Sequence, residues 1–250
     1  MTKINCFFIT IYCAFTLANC IAQGKTVFKK PEDTVRYSDT VVNINYGVRM
    51  FDKYNNILGG DSIRNCRNYA CQGWVEDFYE NGKTLHKGFY IEGILNSYKN
   101  FYPDGTLERE FKNKSLVKSE LTTYHPNGNI RTKGVFVEGS SLIYEEYYET
   151  GQLEYMEENH KSMEYYVSTK SFYSTGTQES ILLLTNPKKL TFSKVEYHEN
   201  GTIREQGELF FNKNNMDYYK SGKWSYFDET SKLTHETLYE NGKSIKTINY

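Results

Sequence analysis

Alanine is scarce in this chain of 250 residues: it occurs only at Ala14, Ala18, Ala22 and Ala70. Alanine is the best intrinsic helix former, whereas tyrosine, phenylalanine, valine, isoleucine and threonine favour strands. The chain has 23 tyrosines and 15 phenylalanines. This composition excludes a large helical domain and predicts an all-β fold.

The chain also has no large excess of positive or negative charge. Lys plus Arg total 30 and Asp plus Glu total 31, so the net charge is −1. Binding of duplex nucleic acid needs a clustered positive surface, and binding of anionic lipid needs a basic stripe. We therefore expect no nucleic-acid partner, and no membrane contact except through lipidation of the chain.

Residues 1–22 have the order of a secretory signal. Lys3 is followed by an uncharged apolar run and then by small residues that end at Ala22. A basic, then apolar, then small-residue order is typical of such signals. This order predicts cleavage after Ala22 and export to the periplasm, the cell surface or the medium. In the alternative, Leu17–Cys20 is a lipobox, and a lipid on Cys20 anchors the exported protein.

Few cysteines remain after the signal: only Cys66 and Cys71. In an exported chain, such a pair is more often a disulfide than a metal site. A zinc site needs four ligands, and no histidine or second cysteine pair lies nearby in the sequence. The pair predicts a disulfide, with a free buried pair as the alternative.

Motifs of catalysis are absent from the sequence. It has no glycine-rich phosphate loop, no His-Glu-x-x-His and no Gly-x-Ser-x-Gly. Glu145–Glu146 and Glu157–Glu158 are adjacent on strands and therefore point to opposite faces. The histidines are scattered, at His86, His125, His160, His198 and His235. We expect no catalytic residue, no cofactor and no metal, and we interpret the protein as a non-enzyme.

The chain does contain a repeat, in which two large residues, mostly aromatic, precede a glycine by four and three positions. The glycines are Gly82, Gly105, Gly128, Gly151, Gly176, Gly201, Gly222 and Gly242. The first four are 23 residues apart, and later gaps are 20 to 25 residues. A recurring period of this length is the signature of a repeat architecture.

The residue before each glycine is Asn, Asp, Thr or Ser, which predicts two-residue type I′ hairpin turns. Such turns place the residue three before glycine opposite the residue two after it. The pairs predicted in this way are Tyr102–Leu107, His125–Ile130, Tyr148–Leu153 and His198–Ile203. A second turn follows half a period later, as at Glu92-Gly93. If Phe227–Leu233 is itself a turn, Gly222 instead belongs to a half-period loop.

The repeat divides the chain into a signal (1–22), an N-terminal segment (23–72) and an array (73–250). Phe51–Leu58 resembles Phe227–Leu233, so the N-terminal segment is expected to hold a degenerate first repeat or a cap. Residues 154–195 are less regular and are expected to form longer strands or an insertion. The predicted fold is an elongated antiparallel meander of about seven or eight stacked β-hairpins in a single-layer twisted sheet.

Two segments, Gly73–Gly82 and Gly222–Phe227, are most similar to the variant MORN repeat, with its tryptophan, paired aromatics and glycine. The resemblance extends over about residues 73–250. Such repeats are typical of bacterial YwqK-like antitoxin proteins, which often carry signal peptides. The resemblance implies a MORN-like β-hairpin array, and it implies an antitoxin role through the family name alone.

Three functions are compatible with this pattern. The first is an exported, non-enzymatic module or scaffold that binds another protein along its repeated face, since repeat arrays make long surfaces. The second is a cell-surface glycan-binding protein that uses the tyrosine columns. The third is a hydrolase with a site in residues 154–195.

Overall fold

The structure is a computed structural model, and it describes residues 42–43, 48–49, 63–79 and 81–250. The predicted signal (1–22), Cys20 and the Phe51–Leu58 copy of the repeat lie outside the described residues. The chain divides into two compact units, with the boundary between Ser140 and Ser141.

The first unit begins with two short antiparallel pairs and continues as an antiparallel meander. The strands of the short pairs are β1 (Val42–Asn43), β2 (Val48–Arg49), β3 (Asn65–Cys66) and β4 (Tyr69–Ala70). The meander contains β5 (Gly73–Phe78), β6 (Thr84–Ile91), β7 (Ile94–Phe101), β8 (Leu107–Asn113), β9 (Lys118–Tyr124) and β10 (Ile130–Val137).

The second unit is an antiparallel meander in chain order. Its strands are β11 (Ser140–Tyr147), β12 (Leu153–Asn159), β13 (Tyr166–Phe172), β14 (Gln178–Asn186), β15 (Thr191–Tyr197), β16 (Ile203–Asn212), β17 (Asp217–Phe227), β18 (Leu233–Glu240) and β19 (Lys243–Asn249). No helix occurs among the described residues of either unit, which confirms the all-β meander.

The segment 154–195 continues the meander through β12 to β15. Its apolar run Ile181–Leu184 lies in β14, which has nine residues. Leu182 in this strand is buried, whereas the adjacent Leu183 is exposed, so only one face of β14 is covered. The four strands of the segment have seven to nine residues and pair in chain order.

Each unit has one cluster of buried apolar side chains. In the first unit, the cluster consists of Cys71, Val75, Tyr90, Leu95 and Tyr98. In the second, it consists of Tyr165, Leu182, Leu190, Phe192 and Phe211. Between β11 and β12 neither face is a core, since every residue of β11 is half-buried.

The predicted type I′ turn is wrong at six of the glycines. Gly82 donates its N–H to the Tyr79 carbonyl at 2.9 Å, and Tyr79 donates to the Lys83 carbonyl at 2.8 Å. These bonds close a three-residue loop, a type I turn followed by Gly82 with φ 78°. Asn81 accepts the Lys83 N–H at 3.0 Å, so it stabilises the loop through its side chain. The same loop recurs at Gly105, Gly128, Gly151, Gly176 and Gly201.

A seventh three-residue loop, Asp228–Lys232, has Ser231 in place of glycine, with φ 67°. The described residues therefore contain seven equivalent hairpin loops, three in the first unit and four in the second. The two-residue turns lie between the hairpins, at the other end of the strands: Glu92-Gly93, Glu138-Gly139 and Asn241-Gly242, each with two positive φ angles. Gly242 therefore belongs to that second group, and Gly222 lies inside β17.

The extra loop residue shifts the pair beside each loop by one residue, and a bulge then restores the predicted register further along the strands. Leu107 pairs with Phe101 and not with Tyr102. The other predicted partners shift in the same way, to Tyr124–Ile130, Tyr147–Leu153 and Tyr197–Ile203. An aromatic residue still faces a branched aliphatic one, but it is the ring four residues before glycine. The side chain three residues before glycine therefore lies outside these cross-strand pairs and is available for a different contact.

Candidate functional site

At five of the hairpins, the ring three residues before glycine joins the hairpin to the next one. The tyrosine hydroxyl donates a hydrogen bond to a backbone carbonyl of the following hairpin. These bonds are Tyr79 to Phe101 (2.7 Å), Tyr102 to Tyr124 (2.8 Å), Tyr148 to Phe172 (2.7 Å) and Tyr173 to Tyr197 (2.8 Å). His198 Nε2 makes the equivalent contact with the Phe227 carbonyl at 3.1 Å. We call these five residues the tyrosine ladder.

The tyrosine ladder stabilises the array and does not present its hydroxyl groups to a ligand. Burial raises the pKa of Tyr102, Tyr148 and Tyr173, with nearby glutamates adding to the effect. The predicted turn glycines, apart from Gly242, lie in the loops that follow the residues of the ladder position in each unit. Their positive φ angles explain the need for glycine without any bound molecule.

Cys66 and Cys71 are joined by a disulfide in the first unit. The chain around it covers the Glu92-Gly93 turn: Arg64 donates its N–H to the Gly93 carbonyl, and Gly93 donates to the Cys71 carbonyl, both at 2.8 Å. The Arg64 guanidinium makes two hydrogen bonds to the Asp77 carboxylate, at 2.7 and 2.8 Å. Both side chains are almost completely buried. This segment therefore caps the first unit through covalent, backbone and ionic contacts.

The histidines and paired glutamates of the described structure make local contacts. His86 is buried, donates from Nδ1 to Asn100 Oδ1 at 2.7 Å and lies 3.4 Å from the Tyr90 hydroxyl. His160 bonds Ser162 in an exposed loop. Glu157 and Glu158 pair with different residues of β11 and point to opposite faces, as predicted. No group of three or more His, Cys, Asp or Glu in the described part of the chain is placed to hold a metal ion.

One face of the second unit carries a continuous polar row across six strands. Its members are directly paired residues: Tyr155, Ser171, Ser180, Glu196, Glu205 and Tyr226. All six are half-buried. At about 4.8 Å between strands, this polar row is about 24 Å long. Lys194 and Arg204 pair with Glu196, so charges of both signs lie along it.

At one end of the polar row is a tyrosine–glutamate cluster, made of Tyr155, Glu157, Asn159 and Tyr166. The Tyr155 hydroxyl donates to Glu157 Oε2 at 2.9 Å, and Asn159 Nδ2 lies 3.4 Å from Oε1. Burial raises the pKa of Glu157, while hydrogen bonds from the two tyrosines and Asn159 oppose that rise. Burial and the nearby Glu157 raise the pKa of Tyr166 to about 12. The cluster therefore holds a half-buried carboxyl among neutral donors.

At the other end is a Lys220 cage, made of Lys220, Glu205, Trp224, Tyr226 and Tyr239. The ammonium nitrogen lies 3.8 Å from the centre of the Trp224 ring and within 6 Å of both tyrosine rings. It also donates to Glu205 at 2.9 Å and to the Tyr226 hydroxyl at 3.1 Å. The Trp224 ring lies over Gly207, where a Cβ would be only 2.4 Å from it. Glycine at this position is therefore required by packing.

Sequence reasoning missed both groups. The alternation Tyr155-x-Glu157-x-Asn159 could have placed three side chains of the cluster on one face, since side chains alternate along a strand. Tyr166 comes from the next strand, and the Lys220 cage draws on three strands. Those parts depend on the register, which bulges shift in ways the sequence pattern does not specify.

Comparison with known proteins agrees with the geometry of the hairpins. The family model described as a MORN repeat variant matches residues 142–161, which lie within the hairpin formed by β11 and β12. No curated protein matches the sequence. The fold and this match give the chain the character of a MORN-type repeat protein.

One solved structure with a low overall similarity is a glycan-related complex from S. aureus. A mutant of S. aureus TarM in complex with fondaparinux, alpha-GlcNAc-glycerol and UDP shares 9% identity and a TM-score of 0.23. The alignment covers 59% of this chain and 21% of that one, so this chain spans about a fifth of its length. This likeness carries no argument about function. Among the described residues, no helix is long and apolar enough to cross a membrane.

Proposed function

We propose that this protein is an exported, non-enzymatic repeat protein whose polar row binds another protein. The observation that carries this proposal is the composition of the row: one tyrosine at each end, with two serines followed by two glutamates between them, all half-buried. Tyrosine and serine are the residues that antibody paratopes use for adaptable, polar contacts with proteins. The disulfide supports export, since such bonds persist in oxidising compartments.

The extent of this face also suits a protein partner. The row is about 24 Å long, and further along the same face Leu182 and Phe192 are buried in the cluster of the second unit, so the row forms a band beside that cluster. A band of this length matches a small or transient interface, which buries less than about 600 Å² on each partner. An antitoxin role does not fit this proposal, because an exported protein does not meet an intracellular toxin.

The glycan alternative has less support because the tyrosine ladder uses its hydroxyls for backbone contacts. The hydrolase alternative has little support because the described residues of 154–195 bring no histidine beside Glu157.

A photo-cross-linking residue tests the proposed surface. Ser180 lies on the polar row, whereas Ser193 lies on the neighbouring strand and on the opposite face. In cells that make the protein naturally, we expect a discrete protein adduct from the Ser180 position and none from Ser193. Equal labelling at both positions, or an adduct that an added oligosaccharide removes, would contradict protein binding through this row.

A further inference from the structure

The Lys220 cage shows how this sheet holds an ammonium group. Three aromatic rings surround the nitrogen, and Glu205 and the Tyr226 hydroxyl accept its hydrogens. Aromatic faces attract cations, and the contact is stronger when a carboxylate completes it. The chain thus fills one such cage with its own lysine.

The tyrosine–glutamate cluster has the same chemical components without a cation. Glu157 provides the carboxylate, Tyr155 and Tyr166 provide rings and hydroxyls, and the Tyr166 ring lies near Tyr218, with centres 6.3 Å apart. The partners of Glu157 are all neutral, and no lysine, arginine or histidine of the described residues pairs with it. A half-buried carboxylate with only neutral donors is stabilised less than one with a cation.

We propose that the tyrosine–glutamate cluster binds the ammonium group of a lysine side chain presented by the protein partner. This inference rests on the proposed function, because it supplies one contact of the polar row. Charge complementarity selects the occupant, since an ionised Glu157 attracts a cation and the rings offer their negative faces to it. The register supports one shared surface, because Tyr155 of the cluster and Glu205 and Tyr226 of the cage belong to the same row.

The test compares two neutral substitutions on the full mature chain. Glu157→Gln removes the carboxylate of the cluster and keeps its shape. Glu158→Gln removes an equal charge from the next residue, which points to the opposite face. The probe is a short peptide with one lysine among uncharged residues, and its control is the same peptide with that lysine acetylated.

We expect the lysine peptide to shift the nuclear magnetic resonance signals of Tyr155, Glu157 and Tyr166, and the acetylated peptide to shift none of them. Glu157→Gln should weaken binding at least about tenfold, which corresponds to about 1.4 kcal/mol. Glu158→Gln should bind as the wild type does. Equal binding of both peptides, or equal loss in both variants, would overturn the inference.

The cross-linking assay separates this inference from the proposed function. If the Ser180 adduct forms equally well in the Glu157→Gln background, the lysine site is wrong and the protein-binding row stands. If the lysine peptide binds at Glu157 but Ser180 gives no adduct, the site stands and the row is wrong as a protein-binding surface.

Discussion

The cap of the first unit and the tyrosine–glutamate cluster of the second treat a carboxylate in opposite ways. In the cap, Asp77 is fully buried and receives two hydrogen bonds from Arg64, so its charge is matched within the chain. In the cluster, Glu157 is half-buried and receives hydrogen bonds from neutral groups only. A carboxylate that is fully paired inside a core serves stability, whereas one that is open on a face is available to a partner.

The largest effect is expected from breaking the buried pair of the cap. Asp77→Ala should lower the free energy of unfolding by about 3–5 kcal/mol, because it leaves the buried Arg64 guanidinium without its carboxylate. Urea unfolding measures the loss. Glu76→Ala is the control, since its salt bridge with Lys87 is largely exposed and is worth less than about 1 kcal/mol. Similar losses of the free energy of unfolding in both variants would show that the buried pair contributes no more to stability than the exposed one.

Opening the disulfide of the cap should have the next largest effect. Replacing Cys66 and Cys71 by serine together should cost about 2 kcal/mol, because the bond closes only a short loop in the unfolded chain. Comparison of thermal melting with and without a reductant should give the same loss for the wild type and none for the double variant. A reductant effect that persists in the double variant would contradict this assignment.

Two glycines of different kinds allow a sharper comparison of packing and conformation. Gly207→Ala places a methyl group against the Trp224 ring and should cost about 1–3 kcal/mol. Gly128→Ala meets nothing within 4 Å and should cost about 1 kcal/mol through its φ of 87° alone. Melting temperatures of the two variants measure the difference. If Gly128→Ala is the more damaging change, conformation outweighs packing in this sheet.

Each residue of the tyrosine ladder is expected to contribute less to the free energy of unfolding than the buried pair or the disulfide does. Tyr148→Phe removes the donor to the Phe172 carbonyl and should cost about 1 kcal/mol. Tyr250→Phe removes an exposed hydrogen bond to Glu236 and should change the melting temperature little. Equal stability of Tyr148→Phe and the wild type would mean that water replaces the ladder contact without loss.

The period of the repeat made the all-β meander predictable, but the turn type was not. Asn-Gly suits both a type I′ turn and the three-residue loop, because glycine takes a positive φ in each. At Asn241-Gly242 both residues have a positive φ, as a type I′ turn requires. At Asn81-Gly82 only the glycine has a positive φ, and the Asn81 side chain accepts a hydrogen bond from the Lys83 N–H. That one-residue difference moves only the pair beside each loop, because the bulge next to it restores the predicted register, as at Asn100–Arg109. The Lys220 cage was out of reach of the sequence pattern because it joins three strands across an irregular pairing of β16 with β17 that the pattern does not contain.

The smallest effect, and the one of opposite sign, is expected at Glu157. Burial raises the pKa of this carboxyl in the folded chain, so folding favours its protonated form. As the pH rises from its unfolded pKa to its higher folded pKa, the folded state holds the extra proton and the free energy of unfolding falls. Above the folded pKa, this loss is complete and constant.

Glu157→Gln removes that loss and keeps an acceptor for the Tyr155 hydroxyl. The variant should therefore melt slightly above the wild type at neutral pH, and the difference should disappear below the unfolded pKa. Glu158→Gln, on the exposed side of the same strand, should show no such pH dependence. A cluster that becomes more stable when its carboxylate is removed is retained for a purpose other than stability, in keeping with a binding site. A lower melting temperature for Glu157→Gln at neutral pH would instead assign the carboxylate to the fold.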